Sequence, residues 1–152
     1  REAGVNVSIG SDGGSMRGLD LFTEINVMIA GHTAYYGTPY MDYDVISPLE
    51  ALAMAAGGGA KAMMEKALGS VEAGSVADLI SIDMRKPSLV PMYDLTSLPL
   101  FATGSDVSDV IIDGKPVMLD GNVLTMDEQR VLQDAEDVYP RVKERLRNYA
   151  GR

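Results

Sequence analysis

The chain has 152 residues, 46% of them hydrophobic, with 22 acidic against 13 basic side chains and a formal net charge of −9. That length suits one domain. The apolar fraction excludes a disordered chain, the acidic balance argues against a nucleic-acid partner, and no apolar run reaches the ~18 residues of a membrane span. The absence of cysteine removes thiol nucleophiles and Cys-ligated zinc, and the single histidine, His32, excludes a site of several local histidines. Composition therefore predicts one soluble, acidic, cytoplasmic domain with no nucleic-acid or membrane partner.

In chain order, Val5, Val7 and Ile9 alternate with Asn6 and Ser8, the period of a strand with unlike faces. Gly10-Ser11-Asp12-Gly13-Gly14-Ser15 breaks it into a flexible polar loop. A helix is predicted over 19–30, with Leu19, Phe22, Ile25 and Ile29 on one stripe and Gly31 as a left-handed cap. Residues 32–46 read as a tyrosine-rich loop. Ser47, Pro48 and Glu50 form a helix start with a capping box, and the helix should run to about residue 66. Its predicted buried face is Leu49, Leu52, Ala53, Ala56, Ala60, Met63 and Met64. Gly57-Gly58-Gly59 inside it costs ~1 kcal/mol per glycine relative to alanine, and close packing against a neighbouring element is the reason to keep them.

After Gly69 the pattern turns to strands: 76–82, then a hairpin of 107–112 and 116–119 about Asp113-Gly114, then 122–124 after Asp120-Gly121. The stretch 85–104, with Pro87, Pro91 and Pro99, reads as an ordered connection. Thr125 and Glu128 suggest a second capping box. The helix behind it should bury Val131, Ala135, Val138, Val142 and Leu146 and be kinked or split by Pro140. Residues 1–125 carry 16 acids and 7 bases whereas 126–152 carry 6 of each, so the terminal helix is a separate, densely charged element. The expected division is 1–66, 67–125 and 126–152.

Chemistry concentrates in the loop after the first predicted strand. Residues just past the C-terminal end of a strand face the ligand crevice of parallel α/β folds. Asp12 stands there beside glycines that admit close approach, and reads either as a metal ligand or proton shuttle or as a turn aspartate; Ser11, Gly13, Gly14 and Ser15 are candidates to line the substrate. No phosphate-binding loop is present. His32 reads as a cation beyond a helix C-terminus, favoured by the helix dipole, ahead of a catalytic role. Tyr35, Tyr36, Tyr40 and Tyr43 either line an aromatic pocket or pack a long loop.

The ordered blocks GVNVSIGSDGG, LDLFTEI, SPLEALAMAAGGGAKAM, LGSVEAGSVADLISID and GSDVSDVIIDGKPVMLDG resemble the C-terminal part of the amidohydrolase superfamily. The branch is the one holding methylthioadenosine/S-adenosylhomocysteine deaminases, guanine deaminases and triazine hydrolases. The resemblance implies the last strand and helix of a (β/α)₈ barrel, part of the flanking β-sandwich and a C-terminal helix. It implies that Asp12 is the metal-binding, proton-shuttling aspartate, that zinc is the divalent metal with iron as the alternative, and that the substrate is a small heterocycle such as a purine or triazine. Ser11 replaces the family's threonine, and Ala56–Ala60 departs from its usual polar-Gly-Ala segment. The family's remaining ligands, an HxH pair and further histidines, have no counterpart here. The chain is therefore expected to be the C-terminal part of a longer enzyme, inactive alone, and to pair with the missing part or a second copy. The alternative is a stand-alone binding or assembly domain.

Overall fold

The structure, a computed structural model, describes residues 3–14, 18–42 and 45–150. Helix α1, Leu21–His32, continues through a π-helical turn, Thr33–Gly37, and a last turn, Thr38–Tyr40. Helix α2, Pro48–Ala53, likewise continues through a π-helical turn, Met54–Gly58, to Gly59–Ala62. Strand β1, Leu79–Ile82, is followed by a connection containing the short helix α3, Leu98–Phe101. Strands β2, Val107–Ile112, β3, Lys115–Leu119, and β4, Asn122–Val123, complete an antiparallel sheet in the order β1-β2-β3-β4. Helix α4, Glu128–Ala150, ends the described chain.

Local chemistry accounts for these boundaries. Asp20 caps α1 by accepting from the Phe22 amide at 2.9 Å, and Ser47 and Glu50 form both halves of the predicted capping box. Asp113-Gly114 and Asp120-Gly121 all have positive φ, as type I′ hairpin turns require. Asp109 locks the second of these turns to β2. It accepts from the Asp120 amide at 3.0 Å, from Ser108 Oγ at 3.0 Å and from Ser81 Oγ.

The core lies where α1 and α2 meet the connection before β2. Ile25, Ala51, Leu89, Pro99 and Ala102 are buried there, each large apolar side chain worth ~1.5–3 kcal/mol on burial. Asn26 Nδ2 ties α1 to α3 through the Pro99 carbonyl at 3.3 Å. Asp20 Oδ2 reaches the Gly104 amide at 3.1 Å. The buried Asp106 holds the foot of β2, accepting from the Thr103 amide at 2.8 Å and standing 3.6 Å from Lys86 Nζ.

Several expectations are corrected. Among the described residues, 5–9 join no ladder, because alternation supplies faces but not a partner strand, and the sheet is filled by β1–β4 in sequence. Leu19 lies before α1 and is 73% exposed. Gly31 is inside the helix, which ends at left-handed Met41, so residues 33–40 are helical rather than loop. Of the predicted buried face of α2, Leu49, Leu52, Ala53, Ala56, Met63 and Met64 are not buried and Ala60 is. That helix stops at Ala62, with Met64 left-handed at φ 61°.

At the far end, Asp127 rather than Thr125 starts α4, accepting from the Arg130 amide at 3.1 Å. Pro140 sits inside one continuous helix, and Val131, Ala135, Val138, Val142 and Leu146 are all exposed. Their seam has the period of a packed helix, but among the described residues it meets no covering surface.

The glycine triplet is explained by contact. A Cβ on Gly58 would stand 2.3 Å from the Val7 carbonyl oxygen and 3.1 Å from Ser8 Cα. Gly69, at φ 84°, crosses the neighbouring turn, where its own Cβ would meet Gly57 Cα at 2.8 Å. Gly59 has nothing within 4 Å. Gly58→Ala should therefore lower the urea midpoint by an overpacking cost of about 1–3 kcal/mol. Gly59→Ala, one position on, should raise stability by about 0.5–1 kcal/mol through helix entropy alone.

Asp106 gives the fold a pH signature. The Thr103 amide lowers its pKa below the ordinary 3.8; burial opposes the shift, while the Thr103 hydroxyl and Lys86 assist it. A depressed carboxylate stabilises the fold above its ordinary pKa, and that contribution is lost as pH falls through the folded value. The difference in urea midpoint between the native chain and Asp106→Asn should be constant from about pH 5 to 7 and shrink below about pH 4.

Candidate functional site

The segment that carries Asp12 is held by α2. Asn6 Nδ2 donates to the Gly58 carbonyl at 2.9 Å, and the missing side chain of Gly58 lets the Val7–Ser8 backbone lie directly on the helix. Beyond Ile9 the chain enters the turn Asp12–Gly14, where Asp12 has φ 55° and Gly13 φ 61°. Asp tolerates this left-handed geometry better than most residues, and glycine adopts it freely. Asp12 and Gly13 are exposed and Ser11 is half-buried. The turn thus presents the Asp12 carboxylate at the surface, with Ser11 and Gly13 flanking it and Gly14 closing the turn. Ser15 lies outside the described residues.

His32 and the tyrosines occupy a different element. His32 lies within the helical run ending at Tyr40, not beyond its C-terminus, so the dipole reading does not apply. Its ring is 5.1 Å from that of Tyr36, which meets Tyr35 edge-on at 4.7 Å. His32 Nδ1 is buried with no hydrogen-bond partner among the described residues. Tyr35, Tyr36 and Tyr40 are exposed, and Tyr43 lies outside the described residues. The His32, Tyr35 and Tyr36 rings pack together along one helical run, where the sequence predicts a loop over 32–46.

A cleft of about 580 Å³ opens beside the sheet, lined by Asp83, Arg85, Lys86, Ser105, Ser108 and Asp120 among others. None of residues 11–14 lines it. Among the described residues no helix is long and apolar enough to cross a membrane. No group of three or more His, Cys, Asp or Glu side chains among them could hold a metal ion. A carboxylate at a glycine-flanked turn suits a divalent cation as one donor, but a catalytic site needs three or more protein ligands. The purified 152-residue chain should accordingly bind no equimolar zinc by elemental analysis and release no ammonia from aminopurine nucleosides. Tight stoichiometric zinc would contradict the ligand count.

Comparison with known proteins bears on the same residues. The amidohydrolase family profile matches residues 1–117. A 5′-deoxyadenosine deaminase from Methanocaldococcus jannaschii is 41% identical over 90% of this chain and 31% of its own length. A 5-methylthioadenosine/S-adenosylhomocysteine deaminase from Moorella thermoacetica is 41% identical over 95% of this chain and 32% of its own. Among solved structures, an adenosine deaminase from Xanthomonas campestris with bound zinc superposes with a TM-score of 0.84 at 29% identity, over 94% of this chain and 32% of that one. A zinc complex of an atrazine chlorohydrolase from Arthrobacter aurescens gives a TM-score of 0.75 at 21% identity, a likeness of fold alone. The chain spans 31–32% of the length of these deaminases.

Proposed function

The chain belongs to the amidohydrolase family, and from that premise we propose that it supplies one metal-binding carboxylate to an enzyme of hydrolytic deamination. Its fold is that of the C-terminal portion of such a barrel, with part of the flanking β-sandwich and a terminal helix. The observation that carries the proposal is the placing of Asp12: an exposed carboxylate on a left-handed, glycine-flanked turn, at the end of a segment pinned through Gly58. The deaminases of 5′-deoxyadenosine and of methylthioadenosine/S-adenosylhomocysteine among its relatives support an aminopurine nucleoside as the substrate class.

In the complete enzyme Asp12 would hold the divalent cation, zinc, together with ligands outside these 152 residues. A cation there supplies hydroxide chemistry at neutral pH, since coordination lowers the pKa of water from ~15.7 to ~7. As the attacking water's oxygen bonds to the ring carbon, the Asp12 carboxylate would take a proton from that water and pass it to the leaving nitrogen. The carbon–nitrogen bond of the ring amine then breaks, and ammonia departs. Ser11 and Gly13 flank the carboxylate and leave the substrate a close approach to the backbone.

The test is Asp12→Asn in the complete enzyme, with ammonia release from 5′-deoxyadenosine as readout. The amide can neither carry the proton nor bring a negative charge to the cation, so kcat should fall by at least ~10²–10⁴-fold. Retention of native kcat in Asp12→Asn would refute the assignment of Asp12.

A further inference from the structure

Helix α4 divides its charge along its length. Residues 127–137 hold five acids and one base, whereas residues 138–150 hold four bases and one acid. Every residue from Glu128 to Tyr149 is exposed. Val131, Ala135, Val138 and Val142 follow one another at alternating intervals of four and three, the seam spacing of a paired helix. Pro140 falls on the face opposite that seam, where its ring does not obstruct a partner, and the helix runs through it without a break.

We propose that this face is a self-recognition surface on which α4 of a second copy of the chain lies antiparallel. The charge pattern selects both the occupant and the direction. A twofold axis between Glu136 and Asp137 stacks Val131 on Val142 of the second copy and Ala135 on Val138 of the second copy. The same register faces Asp134 with Arg141, and closes both ends of the seam by placing Glu128 opposite Arg145. The acidic half of each helix then covers the basic half of the other. Parallel pairing would instead oppose acid to acid and base to base, which is destabilising for like charges in contact. Leu132, Tyr139 and Leu146 lie on one shoulder of the seam and widen the apolar contact. The surface is independent of Asp12 and of the deaminase proposal.

The native chain has no cysteine, so disulfide trapping reads the register directly. Ala135→Cys and Val138→Cys are made separately in the 152-residue chain, mixed in equal amounts and oxidised slowly; the three disulfide dimers differ in mass. Antiparallel pairing predicts that the mixed dimer dominates well beyond its statistical half. A statistical mixture, or dominance of same-position dimers, overturns the proposal.

Because other apolar faces of the chain are also exposed, charge reversal supplies the second arm. By sedimentation equilibrium, Asp134→Arg or Arg141→Asp alone should raise the dimer dissociation constant about tenfold, a loss of about 1.4 kcal/mol. The double variant Asp134→Arg/Arg141→Asp should return to near the native value, while circular dichroism shows the helix intact throughout. A native chain that stays monomeric at every concentration, or singles and double that all behave alike, contradicts it.

Discussion

The approach of the Val7–Ser8 backbone to Gly58 is the contact on which the placing of Asp12 depends. Any side chain at Gly58 would drive a Cβ to within 2.3 Å of the Val7 oxygen, so the segment sits on α2 only because that position is bare. The Asn6–Gly58 hydrogen bond fixes its register on the helix. No strand ladder among the described residues does this work. What looks like a costly glycine in a helix is therefore the seat of the segment that delivers Asp12. The π-helical turn ending at Gly58 brings this bare position to the seat, a departure from regular winding of the kind found beside functional sites.

The acidic character of the chain also has a structural explanation in part. Asp20, Asp106 and Asp109 each accept two or more hydrogen bonds; the Gly104 amide on Asp20 joins α1 to the connection, the Thr103 amide and hydroxyl on Asp106 fold the connection at the foot of β2, and the Asp120 amide on Asp109 joins β2 to the turn before β4. Short carboxylates anchored by backbone amides hold together a body whose apolar core is small. The larger apolar faces, on 5–9, on α2 and on α4, point outward. The faces on 5–9 and on α2 are left open in a chain that spans 31–32% of the length of its relatives.

The elements whose signals are local were legible in the sequence. The Ser47–Glu50 box, the two Asp-Gly turns and strand β2 stand where the residues put them, because capping and turn chemistry are decided within a few positions. The glycine triplet marks a place of close approach in the sequence as in the fold, although which glycine is contacted emerges only from the fold. Burial is legible only in part: Ala60 is buried as its spacing predicts, whereas Met64 and Leu49 share that periodicity and are exposed, since periodicity records which face wants covering and not what covers it. Residues 32–46 misled for a related reason. Tyrosine and glycine lower helix propensity, but a π-helical turn carries α1 through to Tyr40. Asp12 was visible as a candidate, yet its left-handed backbone and its support by Gly58 needed three-dimensional structure.

We propose that the Gly58-seated turn brings the Asp12 carboxylate to a divalent cation. X-ray absorption spectroscopy of the zinc-loaded complete enzyme, native and Asp12→Ala, reads that bond itself. Asp12→Ala should lose one oxygen scatterer at about 2.0–2.2 Å from zinc, with its nitrogen shell retained. An oxygen shell unchanged by the substitution would contradict it.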